Sequence, residues 1–497
     1  MKLGARFRRM FRPSFFSRVS ALFGAALFAF WPEAARATYL DDIGYTALVA
    51  ELQAASIAVP DGTGVTVTQT EASTGTSTSG GVTYYAYLAN SALFSGVTIT
   101  NASAAAYPAA ISSHANAVGG YLYGDASMAS GITSVTAYAV IDAASDWLGS
   151  GFLDVSSGIS HTAPKVESND VLNASWVGSL GSDANDKIVL NRLDYSIQHD
   201  DYVAVVGTNN GPTPRELLDG AYNVISVGLT NGGHAEGTST VNPSVSFPHL
   251  VVPLGVTSYA TPVVSSAAAL LIQTARGSST TSANGTKSEA IKAILLAGTT
   301  KSEFSSWTRS DTSPLDATYG AGELNVQNSD DILTAGEQTA GGTVAATGWD
   351  FNSISRNATV SYSFDLSAAS DVSIALTWNA IYSGSNYNSL SLALANLDLT
   401  LYSVGGGGVL SLVQQSISSG NIEDIWATDL NVGSYVIKVT YGSNYSGSLS
   451  SAEYALAWQS SLTAVPESSW FAFATLGALG VIVVCRRRRA LRPAAAR

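Results

Sequence analysis

A serine occupies a chemically favourable position near the middle of the chain. The stretch from Pro248 to Leu271 reads PHLVVPLGVTSYATPVVSSAAALL. An apolar run, Leu250-Val251-Val252-Pro253, stops at a short turn with Leu254-Gly255, and Thr257-Ser258 leads into small residues from Ala260 to Ala269. The pattern predicts a buried strand, a tight turn and a helix slim enough to lie in a core. Pro262 is expected in the first helical turn, where its missing N–H costs nothing. Ser258 would then stand at the helix N-terminus, where unpaired N–H groups and the helix dipole favour developing negative charge. A hydroxyl there is either a nucleophile or a cap.

Three more residues could work with such a hydroxyl. Glu71 closes an alternating run that follows the Gly62-Thr63-Gly64 turn, as a carboxylate at a strand end. His114 opens a run of small residues, HANAVGG, that predicts a helix packed tightly on a sheet. Asn209 lies in Asn209-Asn210-Gly211, after the continuous apolar run Tyr202 to Gly207, which reads as a buried parallel strand. Taken singly, each has an ordinary alternative: a solvated carboxylate, a helix cap or surface imidazole, and a turn. The elements between them read as strands at Val82–Leu88, Val97–Thr100, Val135–Ile141 and Tyr222–Gly228, and as helices at Tyr39–Leu52, Asn185–His199 and Ser288–Ala297.

The segments around these residues resemble the subtilases, the subtilisin-like serine peptidases. Their serine motif, G-T-S-x-A-[TS]-P after P-D-[IV]-x-A-P, is matched by V-T-S-Y-A-T-P after P-H-L-V-V-P. Their first strand, G-x-G-V-x-V-A-V-I-D, laid from Gly62 onward, puts Glu71 on the triad aspartate. Their H-G-T-H-V-A-G is matched by the run from His114, their V-[IL]-N-x-S-[WL]-G by Val171 to Gly178, and their A-A-G-N-x-G by Val206 to Gly211. Tyr319 to Val326 is similar to the segment that closes subtilase domains. The departures are Glu71 for aspartate, Ala115 for glycine, Ala117 for the second histidine, Thr208 and Val256 for glycine, and His249 for aspartate; Val177 is inserted before Gly178.

The resemblance runs from about residue 61 to 330 and implies a three-layer α/β domain on a mostly parallel sheet. It implies a serine endopeptidase with Ser258 as nucleophile, His114 as general base, Glu71 as its orienting acid and Asn209 in the oxyanion hole. It also implies Ser175, Trp176 and Gly178 as the edge that pairs with substrate backbone. Glutamate reaches about 1.5 Å further than aspartate, so the strand end or the histidine helix is expected to sit back. Sedolisins offer a rival carboxylate set on the histidine helix, but no acid occurs between Thr100 and Gly124.

The two ends explain the charge. Of 497 residues, the first 37 carry seven Lys/Arg and one Glu, and the tail after Glu467 carries six Arg and no acid. Setting both aside leaves 11 basic against 36 acidic residues, too acidic for nucleic acid to be a partner. Basic residues to Arg18, an apolar run Ala21–Trp31 and Ala35-Arg36-Ala37 read as a secretory signal over 1–37, cut by signal peptidase. Residues 38–60 are the lead-in to the domain.

Residues 463–497 begin with Val465-Pro466-Glu467, continue through an apolar segment, Trp470–Cys485, and end on an arginine cluster at 486–489. That order resembles the PEP-CTERM sorting signal, with Ser468 in place of a second proline. It implies transient membrane insertion and cleavage by an exosortase-like enzyme; a plain tail anchor is the alternative. Export to the periplasm, cell envelope or exterior follows. The single cysteine, Cys485, lies in this tail, so the mature chain would offer neither disulfide nor thiol catalyst.

Between them, residues 341–462 alternate in short runs split by Gly/Ser/Asn turns, which predicts an antiparallel β-sandwich. It resembles pre-peptidase C-terminal domains, implying either substrate or carbohydrate tethering or a folding role. No Cys/His cluster marks a metal site and no acidic loop has a calcium-ligand spacing. No cofactor is expected, with calcium left open. Substrates would be proteins or peptides. The rival function is an inactive relative serving as a surface or biofilm-matrix binding protein, which the motif departures favour.

Overall fold

Strand β1, Thr66–Glu71, suits the interior of a sheet because its residues are β-branched at four of six positions and buried from Val67 onward. In the computed structural model, which describes residues 39–460 apart from 80–81, 104–108, 141–145, 156–161, 279–280, 282 and 443–448, β1 lies within a seven-stranded parallel sheet. The other strands are β2 (Thr98–Asn101), β3 (Ser134–Ala139), β4 (Val171–Ala174), β5 (Val203–Gly207), β6 (Ile225–Leu229) and β7 (Leu250–Val252). Their order is β7-β6-β5-β4-β1-β3-β2. The chain runs from β1 to β2 and β3 on one side, then crosses to β4 and beyond on the other. β1 is therefore where the strand order reverses, and crevices of open α/β sheets form at the carboxyl ends of strands at such a point.

Among the described residues the longer helices that flank or prolong the sheet are α1 (Tyr45–Ala54), α2 (Ser113–Leu122), α3 (Asp183–Asp200), α4 (Thr257–Gly277), α5 (Ser288–Ala297) and α6 (Val326–Thr334). α4 is the hub. Its buried face is small or branched, from Ala260 through Val263, Val264, Ala267 and Ala268 to Leu271. Gly207 admits it closely to β5, since a Cβ there would stand 2.7 Å from Thr261 Oγ1. Ser266 Oγ donates to the α2 carbonyls of Tyr121 and Leu122, and Ser265 Oγ to Asn173 Oδ1 on β4. Near its far end, Gln273 Oε1 accepts the N–H groups of Asp61 and Gly62, holding the turn that feeds β1. One expectation is corrected here. α4 begins at Thr257, so Pro262 is its sixth residue rather than part of the first turn. Its missing N–H deprives the carbonyl of Ser258 of a helical donor.

Beyond α6 two four-stranded antiparallel sheets face one another. The first has order β8-β15-β10-β13 and the second β9-β14-β11-β12, where β8 is Gly348–Ser355, β9 Thr359–Leu366, β10 Ser370–Thr377, β11 Leu397–Val404, β12 Leu410–Ser416, β13 Ile422–Leu430, β14 Gly433–Tyr441 and β15 Ser451–Ser460. The sandwich is as expected; alternating runs at 360–366, 372–378, 397–404, 434–441 and 454–458 mark five of its strands, while β8, β12 and β13 carry no such run. β13 hides because Glu423 and Asp424 are buried within it, against the polar-out alternation that marks a strand.

The first sheet is covered on both faces. Trp349, Ala375, Ala455 and Ala457 join the same core as α5 and α6. Thr377 Oγ1 donates to the Glu289 carbonyl, Trp349 Nε1 to Leu333, and Asn223 exchanges bonds of 2.8 and 3.0 Å with the backbone of Ala380. The signal expected over 1–37 and the sorting tail expected over 463–497 lie outside the described residues. Among the described residues no helix is long and apolar enough to cross a membrane. A core shared this way predicts one cooperative unfolding transition for residues 38–460 in calorimetry. Two resolved transitions would mean that the sandwich folds on its own.

Candidate active site

Along β1 the side chains alternate, so Val67, Gln69 and Glu71 share one face while Thr66, Thr68 and Thr70 take the other. α2 crosses the face that carries Glu71. Ser112 caps it, its Oγ accepting from the Ala115 N–H, which fixes where the helix starts and puts His114 at its second residue. His114 Nδ1 meets Glu71 Oε2 at 2.7 Å. The carboxylate is 2% exposed and the imidazole 28%. A carboxylate only accepts, so Nδ1 is the protonated nitrogen and Nε2 carries the lone pair. Desolvation pulls the imidazole pKa down, while the Glu71 charge and hydrogen bond pull it up; the net shift is upward.

Ser258 is the second residue of α4 and half-buried. The helix has no side-chain cap. Tyr259 and Ala260 donate their N–H groups to Val256, and Thr257 donates to Asn210 Oδ1 at 2.9 Å. Among the described residues the Ser258 N–H has no acceptor and is an orphan donor of the helix end, available to an incoming oxyanion. The start of α4 is held against α2 by Tyr259 and Tyr121, whose rings stack at 5.3 Å. Among the described residues no hydrogen bond joins Ser258 to His114. Bonds of this kind are often loose until substrate closes them.

The remaining expected residues also follow carboxyl ends of parallel strands. Asn209, after β5, donates from Nδ2 to the Thr213 carbonyl at 2.8 Å. Its neighbour Asn210 is the amide that touches the serine helix, a contact that reading along the motif missed. Ser175, after β4, is buried and accepts from Asn173 Nδ2. Trp176 is buried as well, its Nε1 donating to Thr70 Oγ1. Gly178 pairs with Leu217 through two backbone bonds of 3.1 Å, so at that residue the edge is already engaged. His249, standing where the motif has aspartate, is buried and accepts the Ser226 N–H; burial, then Lys292, hold its pKa well below the ordinary value. Among the described residues no cluster of three or more His, Cys, Asp or Glu could hold a metal ion.

The balance at His114 makes a signed prediction. In an NMR titration its imidazole should titrate above the ordinary 6.5, and in Glu71→Gln it should fall below the wild-type value because desolvation then acts alone. A raised folded pKa contributes stability that is fully present below the unfolded pKa and is lost as pH rises through the folded one. An imidazole titration unchanged in Glu71→Gln would remove Glu71 from the pair.

No protein-family model matches the chain, and no curated protein matches it. Among solved structures, it is similar to a protease of Pseudoalteromonas arctica PAMC 21717, at 15% identity over 55% of this chain and 90% of that one, with TM-score 0.35. Tripeptidyl peptidase 2 is similar at 11% identity over 70% of this chain and 40% of its own, with TM-score 0.30. The pre-peptidase C-terminal domain of a collagenase from Bacillus anthracis is similar at 14% identity over 24% of this chain and 92% of that domain, with TM-score 0.18. Likenesses this distant do not bear on activity, so the case for chemistry rests on the side chains themselves.

Proposed function

We propose that the chain is an exported serine endopeptidase of the subtilase type, acting on proteins or peptides without a cofactor. The observation that carries this reading is the 2.7 Å bond from His114 Nδ1 to Glu71, with the imidazole on a helix held against the start of α4. Ser258 attacks the scissile carbonyl while His114 Nε2 takes its proton. Glu71 keeps the working tautomer and stabilises the imidazolium. The Ser258 N–H and the side chain of Asn209, once freed from Thr213, receive the oxyanion; loss of one such donor costs roughly 10²–10³ in turnover. His114 must be neutral to act as base, so kcat/KM rises as pH passes its raised pKa.

A fluorophosphonate should label wild type at Ser258, and Ser258→Ala should abolish both labelling and the cleavage of an unfolded protein. Wild type that neither labels nor cleaves would favour the second reading, a binding protein on an inactive subtilase-like fold. That reading is supported by the unbonded Ser258–His114 pair, the engaged Asn209 amide and the engaged edge at Gly178.

The exported location rests on the two ends of the sequence. Signal peptidase would remove residues 1–37 and an exosortase-like enzyme the tail beyond about Glu467, leaving the enzyme in the periplasm, cell envelope or outside. Mass spectrometry of the mature protein should therefore find its last peptide near Glu467. Recovery of peptides ending at Arg497 would refute sorting by cleavage.

A further inference from the structure

Gln69 lies two residues before Glu71 on the same face of β1 and is 1% exposed. An amide buried on an interior strand of a sheet is costly unless every part of it is bonded. Here it is. Nε2 donates to Glu71 Oε1 at 2.8 Å and to the Ala115 carbonyl at 3.2 Å, and Oε1 accepts from the Tyr123 hydroxyl at 2.6 Å. The orientation of the amide is fixed by what surrounds it. Carboxylate and carbonyl can only accept, so both demand the NH₂ end, and a neutral phenol can donate to the oxygen.

We propose that Gln69, itself oriented by Tyr123, is a positioning residue that locks the Glu71 carboxylate and the His114 helix into one frame. The proposal rests on reading Glu71 and His114 as orienter and base. A glutamate has one more torsion than an aspartate, and a carboxylate held through one oxygen still pivots about that bond. Gln69 holds the other oxygen, so Oε2 stays aimed at His114. The same NH₂ group holds the carbonyl of Ala115, the residue next to His114. Strand and helix are therefore referenced to one amide, and their spacing is set by it.

The seat of Tyr123 is built for this. Phe94 meets its ring edge-on at 4.9 Å, and a Cβ on Gly119 would stand 2.5 Å from its hydroxyl oxygen. Glycine at 119 is thus what lets the hydroxyl pass α2 and reach Gln69. Burial, then the Glu71 charge, push the phenol pKa far up, so it stays a donor at any working pH.

The test uses Gln69→Met, which keeps the length of the side chain and removes its bonds, and Tyr123→Phe, which removes one hydroxyl, each in the otherwise unaltered protein. The readouts are the His114 imidazole titration by NMR and the rate of fluorophosphonate labelling at Ser258. In Gln69→Met the His114 pKa should fall, because a swinging carboxylate no longer offsets desolvation. Labelling at neutral pH should slow by about 10- to 100-fold, the scale of a misalignment near 1 Å. Tyr123→Phe should move both in the same direction by less. An unchanged titration in folded Gln69→Met overturns the proposal, even if labelling falls. Should Gln69→Met not fold, an unchanged titration in Tyr123→Phe overturns it. If wild type never labels, the peptidase reading fails while the titration still decides the role of Gln69. If wild type labels and no variant shifts the titration, that reading stands and the positioning role fails.

Discussion

An ionised carboxylate buried at the end of a central strand must be paired, because stripping it of water costs several kcal/mol that only partners return. Glu71 is in that position, and the structure around it follows from meeting the demand. One oxygen takes the His114 N–H and the other takes Gln69. That requires α2 to start where Ser112 caps it, and to lie close over β1. Helix start, strand register and carboxylate length are thus one coupled constraint. Moving any of them leaves a buried charge with an unmet lone pair.

α4 makes the second half of the arrangement. A helix this buried can carry a polar residue only where a partner waits or where its first turn reaches the crevice. Ser265 and Ser266 return bonds to Thr261 and Pro262 carbonyls while also reaching β4 and α2. Ser258 lies in the first turn. Among the described residues the Ser258 hydroxyl makes no hydrogen bond, while Ser265 and Ser266, deeper in the helix, serve packing. The β-sandwich enters the same economy of burial, since α5 and α6 would expose one apolar face without its first sheet.

Much of this was legible in the chain. Period and small-residue runs placed β1, α2, β5 and α4, and the order of the motifs put Glu71 beside His114, where the side chains meet. What the sequence hid is what depends on contacts between distant segments. Gln69 read as one more polar residue on an alternating strand, yet it is buried because α2 covers that face. Tyr123 lies beyond the histidine motif, and nothing local ties it to residue 69. Asn209 and Asn210 are indistinguishable in a turn until the fold shows which one meets α4. Glu423 and Asp424 concealed β13: Glu423 is held by the nearby Ser416 and Ser418, and Asp424 faces the charges of Lys301 and Arg309 from another segment.

The extra methylene of Glu71 implies that the end of β1 or α2 sits back for the imidazole to keep its geometry. The 2.7 Å bond to His114 shows contact made at the longer reach. Length is only part of the difference, because a glutamate also has more rotamers to lose; burying such a side chain costs up to about 2 kcal/mol of conformational entropy. An exposed glutamate would leave the carboxylate to wander, and the imidazole would lose its fixed tautomer for part of the time. A second bond to the free oxygen removes that motion before substrate arrives, when the loss can be charged to folding instead of to the reaction. The chemistry asks only for a carboxylate oxygen at bonding distance from Nδ1, along the ring plane. Aspartate meets this with a short stem, and glutamate can meet it when a neighbour on the same strand face holds its far side.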